Sequence, residues 1–390
     1  MSRISESQTI RMSKLGRELR AQGIDIIDLS IGEPDFDTPV HIKEAGKKAI
    51  DEGYTHYTPV PGYLDLRQAI CQKLKRDNDV DYKPDQIVVS TGAKQSLANV
   101  ILSIVNPGDE VIIPTPYWVT YSDLASFAQG DIKYLKGSLE QGFKITAAQL
   151  EAVITPKTKV FLYSSPCNPS GTVYTKEELA ELAEVFKKHP QVIIISDEIY
   201  EYINYEGEHA SLAQFDFLKD RIVIVNGMSK GYAMTGWRVG YIAAPLEIAK
   251  ACDKIQSQMT SGTCSIAQRA SLEALVSDMK PTKDMVAEFR RRRDYMLSAL
   301  RQIPGLKVNE PGGAFYLFPD VSAYFGRSNG DDKVANADDF SMYLLNKAHV
   351  STVTGTAFGD PDCIRLSYAN SMENLEKAVA RIKDALGALK

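Results

Sequence analysis

The chain has 390 residues, of which 44% are hydrophobic and 24% charged, and its formal net charge is −5. This composition is typical of a globular protein that buries a sizeable core, and the acidic balance argues against a general nucleic-acid-binding protein. The first residues lack the apolar core of a signal peptide, and no segment approaches the length of a membrane span. The five cysteines lack metal-binding or redox spacing, which favours reduced thiols in the cytoplasm and gives no sign of a metal site.

Short β-rich runs alternate with helical patterns through the first three quarters of the chain. The predicted strands are Gln86–Ser90, Glu110–Ile113, Lys159–Tyr163, Val192–Ser196, Ile222–Val225 and Val239–Ala243. The predicted helices between them include Lys94–Val105, Glu177–Lys188 and Ile248–Gln258. Several strands are apolar on both faces, as strands covered by helices on both sides must be. The pattern predicts an α/β fold with a doubly wound, mostly parallel sheet between about residues 42 and 280.

The pattern of predicted helices and strands changes after this region. The charged amphipathic stretch 284–303 predicts a long linking helix, and Pro311–Phe318, Ile364–Ser367 and a terminal helix from Glu373 predict a smaller α/β unit. We expect a large domain over 42–283 and a small domain built from both chain ends, 1–41 and 284–390. Neither a dinucleotide-binding GxGxxG nor a Walker lysine loop occurs between a strand and a helix, which disfavours nicotinamide and nucleotide-hydrolysing enzymes.

The segment Asn226–Tyr241 (NGMSKGYAMTGWRVGY) is the most informative in the chain. Lys230 follows a predicted buried strand and stands beside a glycine turn, at the kind of strand end where open α/β sheets bind ligands. Its amine could form a Schiff base with a phosphorylated aldehyde, while Ser229 and Arg238 could hold the phosphate. A lone lysine is more often a solvated surface residue, but the strand-end position argues against that interpretation here.

Two further strand ends carry turns of small residues and proline. Ser90–Ser96 (STGAKQS) could bind a phosphate through the N–H groups of a helix N-terminus, although such turns also occur for structural reasons alone. In Leu162–Tyr174 (LYSSPCNPSGTVY), prolines flank Asn168 and fix its backbone. The Asn168 amide could donate to a phenolic oxygen of a ligand or could merely cap its own turn.

Two more strand ends carry a carboxylate and an aromatic ring. Asp197, in Ile195–Tyr202 (ISDEIYEY), ends an apolar strand, where a carboxylate needs a cation or strong donor such as a pyridinium N–H. Tyr200 would reach the same ring from one helical turn away. Trp118, in Pro114–Tyr121 (PTPYWVTY), could stack on a planar ligand. A capping aspartate and a core tryptophan are the structural alternatives.

The order of these motifs resembles that of class I aminotransferases of the pyridoxal-phosphate fold type I, and most closely the bacterial aspartate aminotransferase subgroup. The resemblance covers essentially the whole chain, from Leu29–Pro39 (LSIGEPDFDTP) through His56–Arg67 (HYTPVPGYLDLR) to Cys363–Ala369 (CIRLSYA). It implies that the chain is an aminotransferase with pyridoxal 5'-phosphate as cofactor, small amino and 2-oxo acids as substrates, and ping-pong kinetics.

The resemblance also implies roles for individual residues. Lys230 would be the Schiff-base lysine, Asp197 the partner of the pyridine nitrogen, and Trp118 the stacking ring. The other implied contacts are Asn168 and Tyr200 to the phenolic oxygen, Ala93, Lys94, Ser229 and Arg238 to the phosphate, Arg365 and Gly32 to the substrate, and Tyr57 to the phosphate of the neighbouring subunit. Arginine suits an α-carboxylate because its fork of donors binds both oxygens, although an internal salt bridge is a rival role for Arg365. The part assigned to Tyr57 implies a homodimer with shared active sites.

Two features of the sequence predict the substrate: an arginine of some aspartate aminotransferases is missing, and two residues of the bacterial subgroup are present. The stretch Ile255–Gln268 lacks the arginine with which animal and enteric aspartate aminotransferases bind a side-chain carboxylate. The bacterial subgroup instead has a lysine and a threonine at the positions of Lys94 and Thr9. We therefore expect Lys94 and Thr9 to recognise aspartate, glutamate and prephenate.

Other functions are compatible with the same scaffold. An aromatic or glutamine aminotransferase, a cyclopropane-forming synthase or a C–S β-lyase would keep Lys230, Asp197 and Asn168 and differ in the pocket beyond the cofactor. A ligand-sensing domain fused to a winged-helix DNA-binding module is disfavoured because the region before residue 42 is short and the chain is acidic.

Overall fold

A computed structural model describes residues 8–390, with side chains described from Arg11 onward. The helices are α1 (Gln8–Ala21), α2 (Val40–Asp51), α3 (Leu64–Asn78), α4 (Ala93–Ile104), α5 (Thr120–Phe127), α6 (Ala147–Val153), α7 (Lys176–Lys188), α8 (Leu246–Met259), α9 (Ser265–Val276), α10 (Lys280–Leu300), α11 (Ala337–Tyr343) and α12 (Met372–Gly387). The strands are β1 (Ile27–Asp28), β2 (Ile87–Ser90), β3 (Glu110–Thr115), β4 (Asp131–Lys136), β5 (Thr158–Ser164), β6 (Ile193–Asp197), β7 (Ile222–Gly227), β8 (Gly240–Ala243), β9 (Tyr316–Leu317), β10 (Arg327–Asn329), β11 (Asp332–Val334), β12 (Val350–Ser351), β13 (Val353–Thr354) and β14 (Ile364–Ser367).

Seven strands form the central sheet in the order β2-β8-β7-β6-β5-β3-β4. All neighbouring pairs from β4 to β7 are parallel, and β8 runs antiparallel to both of its neighbours. The expected mostly parallel α/β fold is therefore confirmed. Because β8 is reversed, β2 has the same direction as β7, so β2, β3, β5, β6 and β7 all end at one edge of the sheet.

The strands are apolar because helices cover both faces of the sheet. One core cluster joins α3, α7 and α9 to one face, and a second joins α4, α5 and α8 to the other. Residues of β6 show the alternation that results: Ile194 belongs to the first cluster and Ile195 to the second. β-branched residues on both faces suit such a two-sided burial.

A separate hydrophobic cluster gathers residues from distant parts of the chain. It contains Ile27 and Leu29 near the start, Phe289 and Leu297 on α10, and residues of β9, β14 and α12. The strands β13, β14 and β9 form a small antiparallel sheet within this region, and β1 pairs with β12. The division at residues 42 and 283 stays a prediction.

Two details differ from the sequence-based expectation. The edge strand β4 was not predicted, because Asp131, Lys133, Tyr134 and Lys136 are exposed and the strand lacks an apolar run. The residues after Asp197 form consecutive turns rather than a helix, so Tyr200 is not placed by a helical turn. Among residues 8–390, no helix combines the length and apolarity that crossing a membrane requires.

Candidate active site

One cavity of about 450 Å³ opens at the carboxyl edge of the central sheet. Eleven of the thirteen predicted site residues line it. They are Gly32, Ala93, Lys94, Trp118, Asn168, Asp197, Tyr200, Ser229, Lys230, Arg238 and Arg365. The volume lies within the usual range for small-molecule sites.

The other two predicted residues lie elsewhere. Tyr57 is 98% exposed and is not part of the cavity lining. Thr9 belongs to α1, and its side chain falls outside the described residues.

Lys230 lies three residues beyond the end of β7, with its amine inside the cavity. The amine donates a hydrogen bond to the Gly32 carbonyl at 2.5 Å and lies 5.6 Å from the centre of the Tyr200 ring. Burial is the main cause that lowers the pKa of Lys230 to about 8; Arg365 and Arg238 lower it further, while Glu33 and Asp197 oppose the change. The expected lowering by burial and Arg238 is confirmed, and a pKa near neutrality makes the amine usable as a proton acceptor.

Asp197 ends β6 and is almost fully buried. Its Oδ2 accepts a hydrogen bond from the Tyr121 hydroxyl at 2.7 Å, and its Oδ1 accepts one from the Ile199 N–H at 3.2 Å. Burial raises the pKa of Asp197 to about 6, although both hydrogen bonds lower it. A further donor or cation in the cavity would favour the ionised carboxylate.

A second polar cluster lies directly behind Asp197. The buried Glu198 accepts hydrogen bonds from Ser196 Oγ at 2.8 Å and Ser211 Oγ at 2.5 Å and lies 3.2 Å from His209 Nε2. Glu198, Glu201 and His209 could together ligate a metal ion by their geometry. The Lys73 ammonium, however, forms an ion pair with Glu201 and supplies the cation there. This cluster was not predicted, because the spacing of its members along the chain is not typical of metal ligands.

Arg365, on β14, is one of the largest fully buried side chains of the described protein. Its Nη2 donates to the Ser30 carbonyl at 2.6 Å and its Nη1 donates to Asn168 Oδ1 at 2.9 Å. Its Nε has no hydrogen-bond partner, and no carboxylate among the described residues lies within 4 Å of its nitrogens. A buried guanidinium without a counter-ion is costly, which points to an anionic ligand rather than to the rival internal salt bridge.

Tyr200 and Asn168 each contact another side chain of the cavity: Asn168 accepts the hydrogen bond from Arg365, and Tyr200 lies beside Tyr316. The Tyr200 hydroxyl lies 2.7 Å from that of Tyr316, and the pKa of the buried Tyr200 is raised chiefly by burial. Tyr316 also approaches Gly32, where an added Cβ would lie 2.6 Å from the Tyr316 oxygen. This close approach explains why position 32 needs glycine.

The phosphate-binding turn of the prediction lies between β2 and α4. Gly92 has φ of +85°, and a Cβ at this position would lie 2.5 Å from Arg238 Nη2. The missing side chain lets the Arg238 guanidinium approach the start of α4, where N–H groups of the first turn have no acceptor within the helix. Ser229 and Lys94 also face this end of the cavity, and the Lys94 ammonium lies 4.9 Å from the centre of the Trp118 ring. The arrangement concentrates donors and positive charge, as a phosphate requires.

Several lining residues were not predicted. Tyr121, Glu33, Thr235 and Tyr316 line the cavity, as do Ser13, Arg17 and Arg20 of α1. Tyr121 and Tyr316 stand within motifs that the sequence singled out, but only the folded chain shows which ligand-facing group each of them contacts.

The aminotransferase class I and II family profile matches residues 24–382. The chain belongs to the class I and II aminotransferase family. The enzyme is 47% identical over 386 residues to an aspartate/prephenate aminotransferase of Cereibacter sphaeroides, covering 98% of this chain and 96% of that protein. A bifunctional aspartate aminotransferase and glutamate/aspartate-prephenate aminotransferase of Petunia hybrida is 46% identical over 392 residues, or 99% of this chain and 82% of the other.

Solved structures agree with the family and the fold. The crystal structure of the aspartate aminotransferase from Rhizobium meliloti superposes with a TM-score of 0.96 at 42% identity and covers 100% of this chain and 99% of that chain. The aspartate aminotransferase from Thermus thermophilus with maleate superposes with a TM-score of 0.91 at 40% identity, over 98% of this chain and 97% of that one. The predicted resemblance and the aminotransferase activity are thereby confirmed.

Proposed function

We propose that this aminotransferase uses pyridoxal 5'-phosphate to move an amino group from aspartate or glutamate to a 2-oxo acid, with prephenate as a further acceptor. Its similarity to an aspartate/prephenate aminotransferase and to a bifunctional aspartate and glutamate/aspartate-prephenate aminotransferase supports these substrates. The observation that carries the proposal is the juxtaposition of a deprotonable amine, Lys230, with the buried Arg365 guanidinium in a single cavity.

The donor set of the cavity fits the cofactor from end to end. Asp197 offers a buried carboxylate for the pyridine nitrogen, and Trp118 offers a ring for stacking. Asn168 and Tyr200 would contact the phenolic oxygen. Ala93, Lys94, Ser229 and Arg238 would surround the phosphate, with Lys230 left to bond the aldehyde.

The chain's own residues then divide the work of the reaction. Arg365 binds the α-carboxylate, and its two existing hydrogen bonds to Ser30 and Asn168 fix the guanidinium before substrate arrives. The Lys230 amine accepts the proton from Cα of the amino acid and later donates a proton, so it acts first as a base and then as an acid. When bound, the cofactor supplies the aldehyde that accepts the amino group and a ring that withdraws electrons. The ionised Asp197 maintains that withdrawal by keeping the ring nitrogen protonated.

The side-chain carboxylate of the substrate is assigned to Lys94 and Thr9. Lys94 is an exposed residue whose side chain lines the cavity. Partial desolvation of its ammonium group lowers its pKa, and the positive charge of Arg238 lowers it further. In a Lys94→Ala variant, kcat/KM for aspartate should fall more than that for alanine, because a loss of phosphate binding would affect both substrates alike. An unchanged value for aspartate, with alanine still a poor substrate, would remove Lys94 from this role.

We further propose a cytoplasmic homodimer whose subunits share active sites. Tyr57 is 98% exposed, so its hydroxyl is available to a second chain. The five cysteines are all free, which suits a reducing compartment. The large domain over 42–283 would provide most cofactor contacts, and the small domain from 1–41 and 284–390 would close over the substrate through Gly32 and Arg365.

A panel of amino donors tests the function directly. Purified holoenzyme is assayed with aspartate, glutamate, phenylalanine, glutamine and cystathionine against 2-oxoglutarate, oxaloacetate and prephenate. The proposal expects the highest kcat/KM for the dicarboxylic donors and parallel double-reciprocal plots. Release of pyruvate and ammonia from cystathionine without an acceptor would instead identify a β-lyase.

A further inference from the structure

The cavity contains more positive charge than the functions above explain. Among the side chains that the structure describes, six basic ones line it, against the carboxylates of Glu33 and Asp197. The basic residues are Arg17, Arg20, Lys94, Lys230, Arg238 and Arg365. Such an excess attracts ligands with several negative groups.

Most of these cations already have a partner or a role. Lys230 reacts with the cofactor, Arg238 faces the phosphate end, and Arg365 receives the α-carboxylate. Arg20 is bound within the protein, since its Nη2 lies 3.3 Å from Asp28 Oδ2 and its Nε donates to the Ile26 carbonyl at 3.1 Å. Lys94, besides its proposed place near the phosphate, and Arg17, which has no other role, are left for the rest of the substrate.

The packing of α1 explains why Arg17 reaches the cavity. Ser13, Arg17 and Arg20 are spaced four and three residues apart and share one face of the helix. The opposite face carries Met12, Leu15 and Leu19, which form a hydrophobic cluster with Ile26 and Leu345. The apolar contacts therefore set the rotation of the helix and direct its basic face to the cavity.

Arg17 is also free to bind an anion. The residue is exposed, and its guanidinium makes no hydrogen bond or ion pair with any side chain from Arg11 to the end of the chain. The exposed carboxylate in the lining belongs to Glu33, whose Oε2 accepts a hydrogen bond from Thr235 at 2.9 Å. No carboxylate oxygen of the described residues, Glu33 included, lies within 4 Å of the Arg17 nitrogens.

We propose that Arg17 is a specificity-determining residue whose guanidinium binds the side-chain carboxylate of dicarboxylic substrates, together with Lys94. A planar fork of donors can bind both oxygens of that carboxylate, which the single Lys94 ammonium cannot do. The inference rests on the proposed function and adds a residue that the sequence did not indicate, on the same helix as Thr9.

The experiment compares Arg17→Ala and Arg17→Lys holoenzymes with the wild type and with Lys14→Ala. Lys14 is an exposed cation of the same helix that does not line the cavity, so its variant controls for the general loss of positive charge. The readouts are kcat/KM for aspartate and for alanine, and the dissociation constants of succinate and acetate.

For Arg17→Ala we expect kcat/KM for aspartate and the affinity for succinate to fall about tenfold, because a hydrogen bond to a charged group is lost. Alanine and acetate should change less than about twofold, since neither has a second carboxylate. Arg17→Lys should restore part of the aspartate activity, and Lys14→Ala should match the wild type.

Equal losses for aspartate and alanine, or no loss for either, would overturn the role of Arg17. A wild type without activity towards aspartate would refute the proposed function instead. In that case, succinate binding still decides the inference: an Arg17→Ala variant that binds succinate as tightly as the wild type would refute it.

Discussion

The hydrogen bond from Tyr121 to Asp197 provides a quantitative prediction. The Tyr121 hydroxyl lies 2.7 Å from Asp197 Oδ2, and both side chains are buried. Tyr121→Phe removes one donor to the carboxylate and leaves the ring. A hydrogen bond to a charged group contributes about 1.5–3 kcal/mol, and 1.36 kcal/mol corresponds to one pKa unit. The pKa of Asp197, about 6 with the bond present, should therefore rise by about one to two units.

The sign of the effect on activity follows from the ionised form. In the role proposed for Asp197, only the ionised carboxylate would keep the ring nitrogen of the cofactor protonated, so a higher pKa of Asp197 should reduce the active fraction at neutral pH. The acidic limb of the profile of kcat/KM against pH should move towards higher pH in Tyr121→Phe, while the plateau at high pH changes little. The cofactor itself favours the ionised carboxylate, so the limb of the holoenzyme should move by about one unit at most.

A matched control separates this effect from packing. Tyr117→Phe removes the hydroxyl of a tyrosine four residues away, which donates to the Tyr134 hydroxyl at 3.3 Å and not to Asp197. Its acidic limb should coincide with that of the wild type. A Tyr121→Phe profile that is lower at every pH but unshifted would show that the hydroxyl does not control Asp197.

Three more predictions concern single residues. Lys230→Met should abolish transamination yet stabilise the apoenzyme at pH 7 by no more than about 3 kcal/mol. The reason is that the pKa of Lys230 is about 8 in the folded protein, below the ordinary 10.5. Burying the amine therefore lowers the free energy of unfolding by its full amount below pH 8, and this loss vanishes above about pH 10.5. Urea denaturation of both proteins at pH 7 and above pH 10.5 should show this difference. Arg365→Lys should lower kcat/KM about 100-fold for aspartate and alanine alike, because both need the α-carboxylate fork; a loss confined to aspartate would contradict its role. Tyr57→Phe should weaken cofactor affinity about tenfold in equilibrium dialysis, and since this hydroxyl is fully exposed within its own chain, an unchanged affinity would argue against shared sites.

The fold was predictable because its strands are almost purely apolar. Six of the seven sheet strands begin and end within two residues of a predicted strand, as β7 does with the predicted Ile222–Val225. The edge strand β4 was missed since one of its faces is solvated and its residues are mostly polar. Its pairing with β3, rather than its own composition, stabilises it.

The site was predictable where function and local structure share one motif. Lys230 and Asp197 stand at strand ends, so the chain direction alone placed them at a common edge. Tyr121, Tyr316 and Arg17 were not assigned, because their proximity to the site depends on the packing of α5, β9 and α1 against distant parts of the chain. Contacts between segments more than 100 residues apart, such as that of Arg365 with Ser30, leave no mark in local spacing.

The identity of the amine that bonds the cofactor is the central claim, and it can be measured directly. Holoenzyme is reduced with borohydride, digested and analysed by peptide mass spectrometry. We expect one phosphopyridoxyl group per chain, on Lys230, with none on Lys94 or any other lysine. A protein that remains unlabelled after saturation with pyridoxal 5'-phosphate, or one labelled elsewhere, would contradict it.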